Sequence, residues 1–111
     1  HPSVVEVGYR EFEDCIELRE VAFNDGLQKI GINSTFHNCT SLTSITLPST
    51  VTEIGSHAFQ CCKNLSEVIF NDGLQKIGGC AFYCCTSLSS IKLPSTVTEI
   101  ERGAFYNLAS I

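Results

Sequence analysis

Phenylalanine recurs along this chain at a nearly fixed beat: Phe12, Phe36, Phe59, Phe82 and Phe105 lie 24, 23, 23 and 23 residues apart. Four more rows keep the same register. Leu18, Leu42, Leu65 and Leu88 form one, and Val21, Ile45, Val68 and Ile91 another. Val7, Ile30, Ile54, Ile77 and Ile100 make a third, and Cys15, Cys39, Cys62 and Cys85 a fourth. A period of this length marks a stacked repeat, because one lap cannot bury its own apolar face and its neighbours must cover it. The single slip, an extra residue between Ile30 and Phe36, belongs in a loop.

Within the lap from Leu65 to Ser87 the apolar residues fit neither one long helix nor one long strand. Leu65, Val68 and Phe70 suit a short strand. Asn71-Asp72-Gly73 is a turn, since Asp bonds its own backbone and Gly accepts positive φ. Leu74 and Ile77 face inward on a return segment, Gly78-Gly79 bends the chain, and Ala81, Phe82 and Cys85 mark the inner side of a helical turn. The 111 residues read as one domain, with a partial coil at 1–11 whose strand is missing. Coils 12–35, 36–58, 59–81 and 82–104 follow, and 105–111 begin another. The chain opens in mid-pattern, which reads as an excised or processed segment.

A longer beat overlies the first. Phe23 to Gly31 recurs identically as Phe70 to Gly78, and Leu47 to Ile54 as Leu93 to Ile100. Coils thus alternate between an Asp-Gly turn and a Pro-Ser-Thr turn. Duplication of a coil pair leaves such a pattern, and the identity reports ancestry more than function.

The frame L-x-x-I-x-L-P-x-x-V-x-x-I-G-x-x-A-F-x-x-C, running from Leu42 to Cys62, resembles the BspA-like (Treponema pallidum type) leucine-rich repeat. The resemblance covers essentially the whole chain. It implies an α/β-type repeat solenoid, a right-handed superhelix of 23-residue coils. A short parallel sheet would lie on one side, with short strands and helical turns on the other. It also implies the company of bacterial and protist surface proteins, among them adhesins that bind host or matrix proteins, hence a cell-surface or extracellular location, and it carries no catalytic residues. Three positions depart from the frame: Glu11 and Thr35 stand where Ala precedes Phe, and Glu101 where Gly follows Ile100.

The net charge of −5 argues against nucleic acid, since no Lys/Arg stripe exists to release counterions from phosphate. No apolar run reaches the ~18 residues of a membrane span. Catalysis finds no nucleophile–base–orienter set: His1, His37 and His57 are the only histidines, and the carboxylates are scattered. No cofactor is implied. The expected partner is another protein, and the solenoid ends offer a second contact with further repeats or a neighbouring subunit.

The strand face turned from the core is the candidate binding surface. It holds the positions one, two and four after each row Leu: Arg19, Glu20 and Ala22; Thr43, Ser44 and Thr46; Ser66, Glu67 and Ile69; Ser89, Ser90 and Lys92. These small polar ladders suit a solvated face, a protein-binding face, or a Ser/Thr array for sugar or ice. The acidic first coil, with Glu11, Glu13, Asp14, Glu17 and Glu20, suits a cap or an acidic docking edge.

Seven cysteines are an odd count for a fully paired secreted protein. Cys15, Cys39, Cys62 and Cys85 share the inward register and act as small hydrophobes. Cys61, Cys80 and Cys84 fall where the frame is polar. Three states are open to them: free thiols, a Cys61–Cys84 disulfide between adjacent coils, or a tetrahedral zinc set of His57, Cys61, Cys80 and Cys84. Asn33, Asn38 and Asn64 begin glycosylation sequons.

Overall fold

A computed structural model of the chain describes residues 3–4, 14–19, 21–23, 26–30, 35–88 and 91–106. Eight short strands follow in order: β1 (Ser3–Val4), β2 (Ala22–Phe23), β3 (Lys29–Ile30), β4 (Ser44–Thr46), β5 (Glu53–Ile54), β6 (Glu67–Ile69), β7 (Lys76–Ile77) and β8 (Glu99–Ile100). Pairing is parallel throughout. β4 pairs with β6, while β3, β5, β7 and β8 form a four-stranded sheet in that order. Ile30 lies opposite Ile54, Ile54 opposite Ile77 and Ile77 opposite Ile100, each partner one lap further on. Fully buried Ile30, Ile54 and Ile77 set this register, because a slip of one residue would turn them to water.

Two expectations need correction. Residues 1–11 contain a strand after all, for Ser3 pairs with Ala22 and Val4 with Phe23. That pairing runs outside the 23-residue register, so the rows could not show it. The expected helical turns are also absent among the described residues. In their place are tight turns, closed by bonds such as Cys62 N–H to Phe59 C=O (3.2 Å) and Cys85 N–H to Phe82 C=O (3.2 Å). The turns are not free-standing, since their remaining amides bond the next lap. Phe36 N–H donates to Ala58 C=O (2.9 Å), Phe59 to Ala81 (2.8 Å) and Phe82 to Ala104 (2.7 Å). Satisfying the amides between laps removes the need for an internal helix.

The core is a column of rings. Phe36, Phe59 and Phe82 are fully buried. Their rings stack at centroid separations of 5.2 and 5.4 Å with interplanar angles of 3° and 9°, and Phe105 continues the stack at 5.4 Å. Phe23 and Phe70 close on the column edge-on, each at 6.0 Å from Phe36 and Phe82 respectively. Phe12 lies outside the described residues. Gly78 shows how tightly the laps approach: a Cβ there would stand 2.6 Å from Ser56 N and 2.7 Å from Gly55 C. Only glycine fits this crossing.

The two-coil beat has a physical reason beyond ancestry. The Pro-Ser-Thr turn clasps the Asp-Gly turn of the preceding lap. Thr50 Oγ1 donates to Leu27 C=O (2.6 Å) and accepts from Gly26 N–H (3.0 Å); Thr96 repeats both bonds on Leu74 (2.7 Å) and Gly73 (3.1 Å). Buried Asn71 then reaches back from the Asp-Gly coil to Val51 C=O (2.8 Å). Charge alternates in step along the four-stranded sheet. Lys29, Glu53, Lys76 and Glu99 are cross-strand neighbours, with Lys29–Glu53 at 3.5 Å, Lys76–Glu53 at 3.9 Å and Lys76–Glu99 at 4.0 Å. Opposite charges placed directly across a pair favour it, and like charges would oppose it. Glu101, the departure from Gly, joins this array: it pairs with Lys76 at 3.4 Å and accepts from Gly79 N–H at 3.2 Å.

Candidate functional site

β4 and β6 build the strand face because Ile45 and Val68 point inward and so turn their neighbours outward. Ser44 lies opposite Glu67 and Thr46 opposite Ile69. Thr43, Ser44, Thr46, Ser66, Glu67 and Ile69 are all exposed, as are Arg19 and Lys92. Glu20, Ser89 and Ser90 lie outside the described residues. Ile69, 50% exposed, is the apolar point of this polar surface. It stands beside an open groove of about 690 Å³ lined by Ser66, Glu67, Val68, Phe70 and Lys92 as well. The groove brings together four residues that sequence spacing singled out (Ser66, Glu67, Ile69 and Lys92) and offers a methyl-rich spot flanked by one carboxylate and one ammonium. The arrangement offers an apolar side chain and two opposite charges for contact with a ligand surface.

The face is held by bonds between laps that the sequence did not reveal. Ser66 N–H donates to Thr43 C=O (2.8 Å). Just before the strands, Ser41 Oγ donates to Ile16 C=O (2.5 Å), Asn64 Nδ2 to Thr40 C=O (2.6 Å) and Ser87 Oγ to Lys63 C=O (2.6 Å). In the first coil Asp14 and Glu17 are exposed beside Ile16, while Glu11 and Glu13 lie outside the described residues.

The turn side holds the other candidate set. His57, Cys61, Cys80 and Cys84 all have left-handed backbone, with φ of 59°, 63°, 57° and 64°. They fall into two stacks. Asp14, Asn38, Cys61 and Cys84 form one, and His57, Cys80 and Gly103 the other. Gly, Asn, Asp and to a degree His adopt this region more readily than Cys. Among the described residues no three His, Cys, Asp or Glu side chains are placed to hold a metal ion, so the proposed zinc quartet is not assembled. The left-handed backbone at all four positions replaces the helical turn on which His57 and Cys61, and likewise Cys80 and Cys84, would have shared one face. His57 Nδ1 instead hydrogen-bonds Gln60 Oε1, and Cys80 Sγ stands 3.1 Å from where a Gly103 Cβ would be.

The inward cysteines behave differently. Cys39, Cys62 and Cys85 are fully buried, and Cys15 is packed against the same core. Cys62 Sγ donates to Phe36 C=O (3.1 Å) and Cys85 Sγ to Phe59 C=O (3.0 Å). Burial pushes the Cys39 and Cys85 thiols up to about 12 and raises Cys62 likewise, so all three stay protonated donors.

Parallel strands paired lap upon lap, with a leucine row turned inward before each, define a leucine-rich repeat protein. The model of the BspA-type leucine-rich repeat region matches residues 2–111 in six copies. The chain belongs to that family. It is similar to the solved leucine-rich repeat protein of T. pallidum, at 39% identity and a TM-score of 0.89 over 94% of this chain and 48% of that one. A leucine-rich repeat protein from Eubacterium ventriosum shares 27% identity, with a TM-score of 0.83 over 95% of this chain and 28% of its own. A leucine-rich cell surface protein from Faecalibacterium prausnitzii shares 31%, with a TM-score of 0.63 over 96% and 35%. The chain thus spans between 28% and 48% of these relatives' lengths. No functionally curated protein matches the sequence. Among the described residues no helix is long and apolar enough to cross a membrane.

Proposed function

We propose that this chain is a non-catalytic protein-interaction module, a segment of a surface or adhesin-like leucine-rich repeat protein that binds another protein through the face of β4 and β6. The observation that carries the reading is the groove beside Ile69, where an exposed apolar side chain sits between Glu67 and Lys92 on a surface of small hydroxyls. An exposed apolar side chain ringed by polar groups, which a partner would desolvate, is the pattern of a protein contact. The cell-surface placement draws on the description of the F. prausnitzii relative. In this reading the coils run 12–35, 36–58, 59–81 and 82–104, and the one-lap offset of every pair in the four-stranded sheet supports the stacking. A right-handed superhelix is the hand that connections between parallel strands of one sheet take.

The test is capture of solubilised extracellular-matrix proteins on the immobilised chain. Ile69→Glu combined with Lys92→Glu should abolish capture, while Gln75→Glu, exposed beside β7, should leave it intact. Equal retention by both variants would sink the reading. A second reading has the chain held by its end in a larger assembly. Ile100 (48% exposed) and Tyr106 (63% exposed) favour it, as apolar groups that a stacked neighbour would cover. In that case Tyr106→Asp, rather than the strand-face pair, removes the interaction.

A further inference from the structure

We propose that Cys61 and Cys84 are a modification site: a dithiol that closes to a disulfide between adjacent laps when it meets a small disulfide oxidant. The placement rests on a repeated geometry. In the stack Asp14, Asn38, Cys61, Cys84, each residue's N–H donates to the carbonyl just before the next member. Asp14 bonds His37 (2.8 Å), Asn38 bonds Gln60 (2.8 Å), Cys61 bonds Tyr83 (2.8 Å) and Cys84 bonds Tyr106 (3.1 Å). The φ values, 61° to 64°, hardly vary along it.

Residues so placed present their side chains to one another. The first pair demonstrates it, for Asn38 Nδ2 donates to Asp14 Oδ1 at 3.0 Å. Two steps further along the same stack Cys61 and Cys84 are neighbours in the same way, with the Cys61 amide bonded to the carbonyl of Tyr83, the residue just before Cys84. Laps held together by parallel strand pairing repeat roughly every 4.8 Å along the stack, inside the Cα span of about 4.4–6.8 Å that a disulfide bridges. Both thiols are part-exposed, so a small oxidant reaches them.

Residue type adds an independent reason. The 23-residue register puts Asp14, Asn38 and Asn107 in this row, the types that left-handed backbone favours. Cysteine replaces them at two consecutive laps and nowhere else in the row. Cys80 occupies the other stack, between His57 and Gly103, with no cysteine above or below it. The odd count then resolves as four inward thiols, one pair, and Cys80 left over.

The chemistry is thiol–disulfide exchange. One thiolate attacks the small disulfide R–S–S–R and expels RS⁻, which takes up the released proton. The second thiolate attacks the protein sulfur of that mixed disulfide and expels the other RS⁻. Two protein thiols are oxidised, one protein S–S bond forms, and the small disulfide is reduced to two thiols. Burial, and then Cys84 beside it, raise the Cys61 thiol, so mildly alkaline solution speeds the closure.

The test incubates the full chain with excess oxidised glutathione, alkylates the remaining thiols under denaturing conditions, and counts them by mass. The expected result is a loss of two thiols from the seven, with fragment spectra linking Cys61 to Cys84. Cys80→Ser should still lose two. Cys61→Asn, which restores the residue type of Asn38, should close no disulfide. The bridge closes a lap-long loop, so the melting temperature of the oxidised wild type should rise by about 5–10 °C over the reduced form. Retention of all seven thiols, a bridge mapped to Cys80, or glutathione adducts that never close would each overturn the proposal.

Discussion

Replacing Phe59 by Ala removes the middle ring of the core column. Phe59 has no exposed surface and stacks on Phe36 at 5.2 Å and Phe82 at 5.4 Å. Emptying a buried phenylalanine site costs about 3–5 kcal/mol. The upper half of that range is expected here, because two ring pairs are lost and the backbone, tied to both adjacent laps, cannot collapse inward. Against a total stability of ~5–15 kcal/mol, such a loss consumes much of the fold. With a urea m-value of about 2 kcal/mol/M, the unfolding midpoint should fall by about 2 M. Phe105→Ala, partly exposed and stacked on Phe82 at 5.4 Å, should cost roughly half as much. Thr46→Ala on the exposed strand face should stay within about 0.5 kcal/mol. Urea titrations followed by circular dichroism read all three. Similar midpoints for Phe59→Ala and Thr46→Ala would refute the division into inward and outward positions.

Four further outcomes follow from the same contacts. Gly78→Ala drives a methyl to 2.6 Å from Ser56 N, so a loss of about 2 kcal/mol or more is expected in thermal melts; an unchanged melting temperature would deny the tight crossing. Asn71→Ala removes the buried bond to Val51 C=O and should cost about 1–3 kcal/mol, whereas exposed Asp72→Ala costs far less in the same assay. Lys76 lies within reach of Glu53, Glu99 and Glu101, so Lys76→Gln should lower the melting temperature at low salt and the difference should shrink at high salt; a salt-independent difference would assign the effect to packing. The Cys39 and Cys85 thiols rise from 9.0 to about 12 chiefly through burial, which favours their protonated form in the fold. Their contribution is complete below pH 9.0 and is lost as pH climbs toward 12, so alkaline melts should steepen in that window and flatten when both are changed to Ala.

Much of the architecture was open to reading because apolar rows are dictated by burial alone. Phe36, Phe59, Ile54 and Ile77 had to face inward wherever the laps stacked, and the strand-face positions followed by alternation. What escaped the sequence depends on contacts between laps. Thr50 and Thr96 look like ordinary turn residues until the preceding Gly26 and Gly73 are placed beneath them. Lys29, Glu53, Lys76 and Glu99 form a charge array only in the observed register. The expected helical turn is not formed at residues such as Cys61 and Cys80, whose side chains give little hint of left-handed backbone; Asp14, Asn38, His57 and Gly103 at equivalent places held that hint. Glu101, read as a departure, became legible once Lys76 and Gly79 were seen beside it.

The claim that the β4–β6 face makes the contact is tested most directly by site-specific photo-crosslinking. A benzophenone side chain placed at position 69, and separately at position 75 beside β7, is irradiated with the captured matrix protein present. Covalent adducts from position 69 and none from position 75 are the predicted result. Adducts from position 75 alone would contradict it, and would move the binding surface to the four-stranded sheet.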